Sequence, residues 1–363
     1  MQHLYIHIPF CHRVCPYCGF YKHTPGATDM RAFIAAVVRE AELRLPPGFA
    51  PDTIYFGGGT PSMLSPKHLD DLVAGLRTWL DTAHVREWSF EANPATFTAA
   101  KVEHWRSLGI NRVSLGAQSF EPELLRMLGR EHSAEQIAES VRLLRAAGIE
   151  QVNIDLMFCL PGQTPAQWRH SLDEALALEP DHLSTYSLTL EEDTPFYSAC
   201  PPPAEEQEAE LYTIAHEQLT KAGFRHYEVS NYARGDGARS EHNLAYWRGA
   251  DYYGLGPGAC GTVNNVRYMN APSTPLYSHA LAEGKLPPGS QEVLTEQDRI
   301  TELLGLQLRT DEGVPLGKFS ADQAPVLCML REEGLAYTTP TSRLVLTPRG
   351  LLLADEIAVQ LMP

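Results

Sequence analysis

The chain has 363 residues, 44% of them hydrophobic and 20% charged, with a formal net charge of −16. This is a globular composition with room for more than one domain, since domains typically run to about 100–200 residues. The acidity argues against a broad nucleic-acid surface, which needs clustered Lys and Arg, and no apolar run approaches the roughly 20 residues of a membrane helix.

The chain opens on "MQHLYIHIPF". It shows neither the basic nor the apolar region of a secretory signal, so a cytoplasmic location is expected. Leu4 to Phe10 predicts a strand. Directly behind it, Cys11, Cys15 and Cys18 follow a C-x3-C-x2-C spacing, so three of the seven cysteines fall within eight positions. The other four (Cys159, Cys200, Cys260 and Cys328) are scattered, which in a reducing compartment suits free thiols better than a disulfide framework.

Helical periodicity then covers Thr28 to Leu45, with Met30, Phe33, Ile34, Val37 and Ala41 on one face. "TIYFGGG" (Thr53 to Gly59) predicts a strand and Ser65 to Leu80 a helix. "EWSFEANP", "RVSLGAQS", "QVNIDLMF" and "HLSTYSLTL" are four further strands with helices between them. Ser133 with Gln136, and Thr164 with Pro165 and Gln167, are capping boxes, and Gly148 is a helix stop. Six strands alternating with helices predict an α/β fold of parallel βαβ units. Pattern alone allows a partial barrel or an open doubly wound sheet.

Near Cys200 the run "CPPPAEEQEAE" punctuates the chain, and "LPPGSQE" (Leu286 to Glu292) reads as a linker. Beyond it, helices followed by a two-stranded wing predict a winged-helix-like α+β domain. That domain has six Lys and Arg against eleven Asp and Glu over residues 291–363, which favours docking over DNA binding. The expected division is 1–200 for the barrel, 201–290 for an extension and 291–363 for the C-terminal domain.

The cysteine triplet admits two chemistries. Structural zinc usually closes a four-ligand tetrahedron, and only His7 or His12 is at hand to complete one. A 4Fe–4S cluster held by three thiolates fits at least as well and leaves one iron open to an external ligand. The remaining polar candidates cluster at strand ends, where α/β folds place their sites. Gly58, Gly59 and Thr60 lie in "YFGGGTPSML", Glu91 in "SFEANP", Gln118 in "LGAQSF", Arg130 in "LGREH" and Asp155 in "NIDLMFCLPGQ". Taken singly, each also suits an ordinary cap or ion pair.

The cysteine loop behind a strand resembles the radical S-adenosylmethionine (SAM) superfamily. There the open iron chelates SAM, and one electron cleaves the sulfonium to methionine and a 5′-deoxyadenosyl radical. "LYIHIPFC", "CPYC", "GGGTPS", "NRVSLGAQSF", "LGREH", "NIDLMFCLPGQ" and "HNLAYW" together resemble its oxygen-independent coproporphyrinogen III oxidase-like group, and within it the HemW haem chaperones. The resemblance covers nearly the whole chain. It implies a partial (β/α)6 barrel, a 4Fe–4S cluster on Cys11, Cys15 and Cys18, and SAM beside Tyr5, Gly58 and Glu91. Tyr17, Gly59, Thr60, Gln118, Arg130 and Asp155 match positions that line a second SAM in the coproporphyrinogen enzyme, and Gly58, Gly59 and Thr60 match the motif at the methionine end of SAM.

Coproporphyrinogen dehydrogenases carry another cysteine where this chain has Phe20, and an extension before the cluster loop; both differences favour a chaperone. The resemblance further implies haem bound around His242, Asn243, Tyr246 and Trp247 of the H-N-x-x-Y-W motif. The alternative for these four is a turn histidine and two core aromatics. Two positions depart from the pattern: Gly19, where aspartate is expected, and Cys260, where many relatives carry histidine and a thiolate could replace it as a haem ligand. Implied partners are haem, an acceptor protein of the respiratory kind and a flavodoxin-like or other electron donor. Nucleic acid is not among them, and peripheral membrane contact is left open. A methyltransferase or other haem-modifying enzyme, and a metal-stabilised binding module without redox chemistry, stay open as rivals.

Overall fold

The computed structural model describes residues 2–362. Six parallel strands form the centre of the molecule: β1 (His3–Ile8), β2 (Thr53–Gly58), β3 (Glu87–Ala92), β4 (Arg112–Gln118), β5 (Gln151–Phe158) and β6 (His182–Ser187). They lie side by side in chain order. A doubly wound sheet reverses its strand order at a switch point. Sequential order without reversal is the barrel-type winding, so the α/β expectation holds in its partial-barrel form.

Alternation along the strands explains the winding. Leu4, Ile6 and Ile8 of β1 and Ile54 and Phe56 of β2 belong to the main apolar core, which includes Phe33 and Val37 of the helix Met30–Arg44. The opposite parity is polar or aromatic in strand after strand: His3 and Tyr5, Thr53 and Tyr55, Ser89 and Glu91, Arg112 and Ser114, Asn153 and Asp155. Successive side chains on a strand face opposite ways, so one set packs on the helices and the other lines the barrel. A small interior cavity is bordered by Tyr55, Ser89, Arg112, Ser114, Asn153 and Ser184. Here the sheet's inner face is built for polar contact, unlike the apolar lumen of most parallel barrels.

Capping starts the outer helices where they are needed. Asp29 caps the helix Met30–Arg44 by accepting from the Arg31 and Ala32 amides. Ser133 and Thr164 form the two expected capping boxes. Gly148 ends its helix with φ of 78°.

The barrel stays open and both edges are extended. Beyond β6 come β7 (Arg225–Glu228) and β8 (Asn231–Ala233), with β8 antiparallel to β6. Beyond β1 come β9 (Tyr252–Leu255), parallel to it, then β10 (Cys260–Val263), β11 (Val266–Asn270) and β12 (Gly289–Val293). The segment expected as a linker therefore supplies the edge strand β12, paired antiparallel with β11. All five of its residues are exposed, so no apolar alternation marks it in the sequence. The C-terminal part has its own core of Leu304, Leu308, Leu330, Leu344 and Ile357, among others, around the helices Glu296–Leu308, Ala324–Glu332 and Ala354–Leu361 and a three-stranded wing. Among the described residues no helix is long and apolar enough to cross a membrane.

Candidate functional site

The cysteine loop sits over the C-terminal ends of β1 and β2. Its two ends are stapled together: the His23 amide donates to the Pro9 carbonyl at 2.8 Å and the Cys11 amide to the His23 carbonyl at 3.0 Å. Between these anchors residues 11–22 have no regular structure, so the loop is held as a closed flap. Thr60 Oγ1 donates to Cys11 Sγ at 3.5 Å and Arg130 to Cys15 Sγ at 3.8 Å. Asn93 connects these two donors, donating to Thr60 Oγ1 at 3.0 Å and accepting from Arg130 at 2.6 Å. Asn93 went unnoticed in the sequence, although it lies two residues past Glu91 in the same strand-end motif.

The donor set suits a thiolate-bound group. Hydrogen bonds to ligating sulfurs stabilise and tune such clusters. Burial pushes the Cys11 and Cys18 thiols up, so in the free protein they keep their protons and release them on binding metal. A cubane takes each thiolate on a different iron, which spreads the sulfurs more widely than one ion would. Among the described residues no three His, Cys, Asp or Glu side chains converge tightly enough for a single metal ion. Three thiols with side-chain donors on two of their sulfurs are a donor set that suits a thiolate-held cluster.

The glycines act first on the protein itself. Gly58 has φ of 107°, and a Cβ there would come within 2.4 Å of the His7 ring. A Cβ on Gly59 would meet Pro9 C at 2.7 Å, Phe10 O at 2.8 Å and Ile8 O at 2.9 Å, all backbone. The Gly59 amide donates to Ile8 O and the Thr60 amide to Phe10 O, both at 2.8 Å. Only glycine lets the end of β2 lie flush against the root of the cysteine loop. Gly19, the first departure from the family pattern, differs in kind: a Cβ there would meet only the side chain of exposed Glu191, whose Cγ lies 2.6 Å away and can swing aside.

Glu91 stands beside this turn. It accepts from Tyr55 OH at 2.9 Å and from the Gly58 amide at 3.1 Å. Burial pushes its carboxyl up to about 7; the nearby Asp155 charge adds to the rise, and the two hydrogen bonds oppose it. Asp155 is also raised by burial, while Ser114 and Asn153 donate to it at 2.7 Å each. Between the ordinary 4.5 and about 7, folded Glu91 keeps a proton that the unfolded chain has lost. Stability must therefore fall as pH rises through that window. In the cluster-free protein, Glu91→Gln is expected to gain a few kcal/mol over wild type at pH 8 and nothing at pH 4, because each pKa unit is worth about 1.4 kcal/mol. Urea midpoints at the two pH values check this; equal differences at both would refute it.

Other expected site residues fall around the same mouth. Tyr5 OH hydrogen-bonds His7 Nδ1 at 3.0 Å, and its ring stacks 6.0 Å from Tyr55. Tyr17 packs against Phe196. Gln118 has φ of 67° at a register shift between β4 and β5, a left-handed backbone that costs a non-glycine residue about 1 kcal/mol or more and clusters at functional sites.

The H-N-x-x-Y-W segment is elsewhere. It forms the short helix Glu241–Trp247 by the N-terminal ends of β1 and β2, the end opposite Gly58. His242 is 1% exposed. Its Nδ1 hydrogen-bonds Thr53 Oγ1 at 2.7 Å and its Nε2 hydrogen-bonds Tyr246 OH at 2.9 Å. Burial pushes it down to about 3, helped by His3. Neither ring nitrogen is free for iron in this conformation. Asn243 borders the interior cavity, and Trp247 packs on the cluster of Tyr227 and Leu244. Cys260 begins β10, partly buried, its thiol raised by burial.

Comparison with known proteins agrees with this geometry. A model described as the Radical SAM superfamily matches residues 5–175. A haem chaperone HemW of Bacillus subtilis is 35% identical over 98% of this chain and 98% of its own. The chain belongs to the HemW family. A HemW of Escherichia coli is 38% identical over 72% of this chain and 70% of its own. The mitochondrial radical S-adenosyl methionine domain-containing protein 1 of Bos taurus is 35% identical over 86% and 74%. Among solved structures, the coproporphyrinogen III oxidase HemN of Escherichia coli matches with a TM-score of 0.83, covering 99% of this chain and 90% of that one at 24% identity. The fold is thus that of HemN, while the HemW family is where the sequence belongs. That superfamily works with a 4Fe–4S cluster and SAM.

Proposed function

We propose that this HemW-family chain carries haem, holding it for delivery to an acceptor protein, and that it is a chaperone more than a catalyst. The observation that carries the reading is the end-to-end similarity to a haem chaperone at 35% identity over 98% of both chains. Phe20, where the dehydrogenases have a further cysteine, supports it.

In this reading Cys11, Cys15 and Cys18 hold the cluster, and SAM occupies its open iron beside Tyr5, Gly58 and Glu91. When bound, the cluster supplies a single electron to the SAM sulfonium. The chain's own part is positioning. Glu91 offers a carboxylate, held by Tyr55 and the Gly58 amide, to ligand hydroxyl or ammonium groups. Thr60 and Arg130 donate to cysteine sulfurs, and Gly59 seats the loop. These bonds support a bracing role for three of the six residues matched to a second SAM; Tyr17, Gln118 and Asp155 complete the ring around the nucleotide.

The haem contacts we infer are in the segment His242, Asn243, Tyr246 and Trp247; for His242 to ligate iron it must give up one of its two hydrogen bonds, and Cys260 is the alternative ligand. The acceptor is of the respiratory kind, met at the membrane surface, and the electron donor is flavodoxin-like. A cytoplasmic location belongs to this reading. The chain divides near 200 and 290 into barrel, extension and C-terminal domain, with β12 running across the second boundary and pairing with β11.

Anaerobic reconstitution followed by haem titration tests the reading, with deoxyadenosine and tetrapyrrole products measured in the same sample. Saturable binding of chemically unchanged haem, and its transfer to an apo-haem protein, are expected. A methylated or ring-opened tetrapyrrole would favour the modifying enzyme, and no saturable haem would overturn the proposal.

A further inference from the structure

We propose that Asn93 sets the reduction potential of the cluster, by extending the reach of Arg130 to a second cysteine sulfur, that of Cys11. The inference rests on the cluster reading above and gives Asn93 a place in it as a positioning residue.

Successive strand ends supply the parts. Cys11 and Cys15 lie in the loop after β1, Thr60 shortly after β2 and Asn93 directly after β3, while Arg130 follows the helix Pro122–Met127 that comes after β4. Arg130 Nη1 donates to Cys15 Sγ at 3.8 Å. Its Nη2 donates to Asn93 Oδ1 at 2.6 Å and also to the Gly116 carbonyl. Asn93 Nδ2 donates to Thr60 Oγ1 at 3.0 Å, and Thr60 Oγ1 donates to Cys11 Sγ at 3.5 Å. One guanidinium thus reaches two of the three cysteine sulfurs, one directly and one through two intermediaries.

Arg130 fixes the direction of the whole chain. A guanidinium donates and never accepts, so the amide atom that meets it must be oxygen. The NH2 group of Asn93 is thereby turned toward Thr60. A hydroxyl has a single proton; with Asn93 donating to its oxygen, Thr60 keeps that proton for Cys11 Sγ. Were the amide turned over, its oxygen would compete for the Thr60 proton and its NH2 group would face a cation. Both bonds would be lost.

The surroundings hold Asn93 in place. Its carbonyl accepts from Thr96 Oγ1 at 2.6 Å, and Thr96 Oγ1 lies 2.7 Å from Ser62 Oγ. Lys101 Nζ donates to the Ser62 carbonyl at 3.1 Å, which ties the turn after β2 to the turn after β3. On the other side Gly116 leaves the space the amide needs: a Cβ there would come 3.0 Å from Asn93 Oδ1 and 3.2 Å from Arg130 Nη2. Cys18 is treated differently. Lys22 Nζ reaches its carbonyl oxygen, not its sulfur.

Hydrogen bonds to the sulfurs are one of the levers on the potential of an iron–sulfur cluster. Reduction adds one electron, whose charge is shared by the ligating sulfurs, and a donor aimed at a sulfur stabilises that charge. Each such bond therefore raises the potential. The Thr60–Cys11 bond gains from its position at the end of a chain that starts on a cation, because hydrogen bonds in series polarise one another. Removing Asn93 leaves the Arg130–Cys15 bond in being and takes away what directs the Thr60 proton. The cluster then becomes harder to reduce.

A redox titration of the full-length protein tests the assignment, after anaerobic reconstitution and without SAM, following the EPR signal of the reduced cluster and measuring iron and sulfide in each sample. Asn93→Ala and Thr60→Val should lower the midpoint by similar amounts. The expected size is roughly a tenfold fall in the ratio of reduced to oxidised cluster at a fixed potential, which is about 59 mV for a one-electron couple. Asn93→Asp keeps an oxygen for Arg130, cannot donate to Thr60 and adds a negative charge, so its midpoint should fall furthest. The double variant Asn93→Ala/Thr60→Val should fall no further than Asn93→Ala alone, since both changes cut one chain and energies along it do not add. Full additivity in the double variant, or a wild-type midpoint either in Thr60→Val or in both Asn93 variants, would overturn this inference alone. Wild type that takes up no iron and sulfide would overturn the cluster reading and this role with it.

Discussion

Alanine at any one of Cys11, Cys15 or Cys18 is expected to reduce iron and inorganic sulfide to near zero after anaerobic reconstitution, while the far-UV spectrum and melting point of the cluster-free protein stay where they are. The reason for the first effect is ligand count: a site with only three thiolates has none to spare. The reason for the second is where the loop is anchored. The bonds that close it join the backbone of Pro9, Cys11 and His23, which alanine preserves, and none of the three cysteines belongs to the main apolar core. Buried Cys159 is the control; its replacement should leave iron content unchanged. Full iron in all three single variants would remove the ligand assignment.

The largest stability effect is expected far from the cluster, at Glu40. It is 0% exposed in the middle of the helix Met30–Arg44. One carboxylate oxygen accepts from Arg44 Nε at 3.0 Å and Asn270 Nδ2 at 2.8 Å. The other accepts from the Gly256 amide at 2.9 Å and Tyr277 OH at 2.6 Å. The group thus ties a barrel helix to the loop after β9, to the end of β11 and to the helix Thr274–Ala282. Glu40→Ala strands four donors, one of them a guanidinium, and removing one partner of a buried ion pair costs about 3–5 kcal/mol. Against a total stability of about 5–15 kcal/mol, that is a large fraction. Chemical denaturation should show it as a clear drop in midpoint; a variant within about 0.5 kcal/mol of wild type would show that the hub is replaceable.

Glu40 also illustrates what the sequence conceals. In "VVREAEL" it reads as one more charged residue on an outer helix face. Its partners lie between 216 and 237 positions away, apart from Arg44. The edge strand β12 is hidden for a related reason: with both faces in solvent, its residues need no alternation. By contrast, the first strand, the six-strand alternation and the two capping boxes are legible because they depend on neighbours within a few residues, where spacing alone carries the information.

The cysteine triplet, the glycine turn and Glu91 were determined by sequence in the same way: their chemistry is a matter of residue type and local spacing, and the backbone needs little else to bring them to a strand end. His3, Thr53 and His242 are different. Nothing in "QHLYI", "PDTIY" and "EHNLAYW" says that one threonine hydroxyl will sit between two imidazoles, or that His3 Nε2 will be left buried without a partner. That was decided only when β1 and β2 paired with His3 opposite Thr53 and the helix Glu241–Trp247 packed against them. Hydrogen-bond partnership is a property of distances between remote segments, and only the folded chain has those.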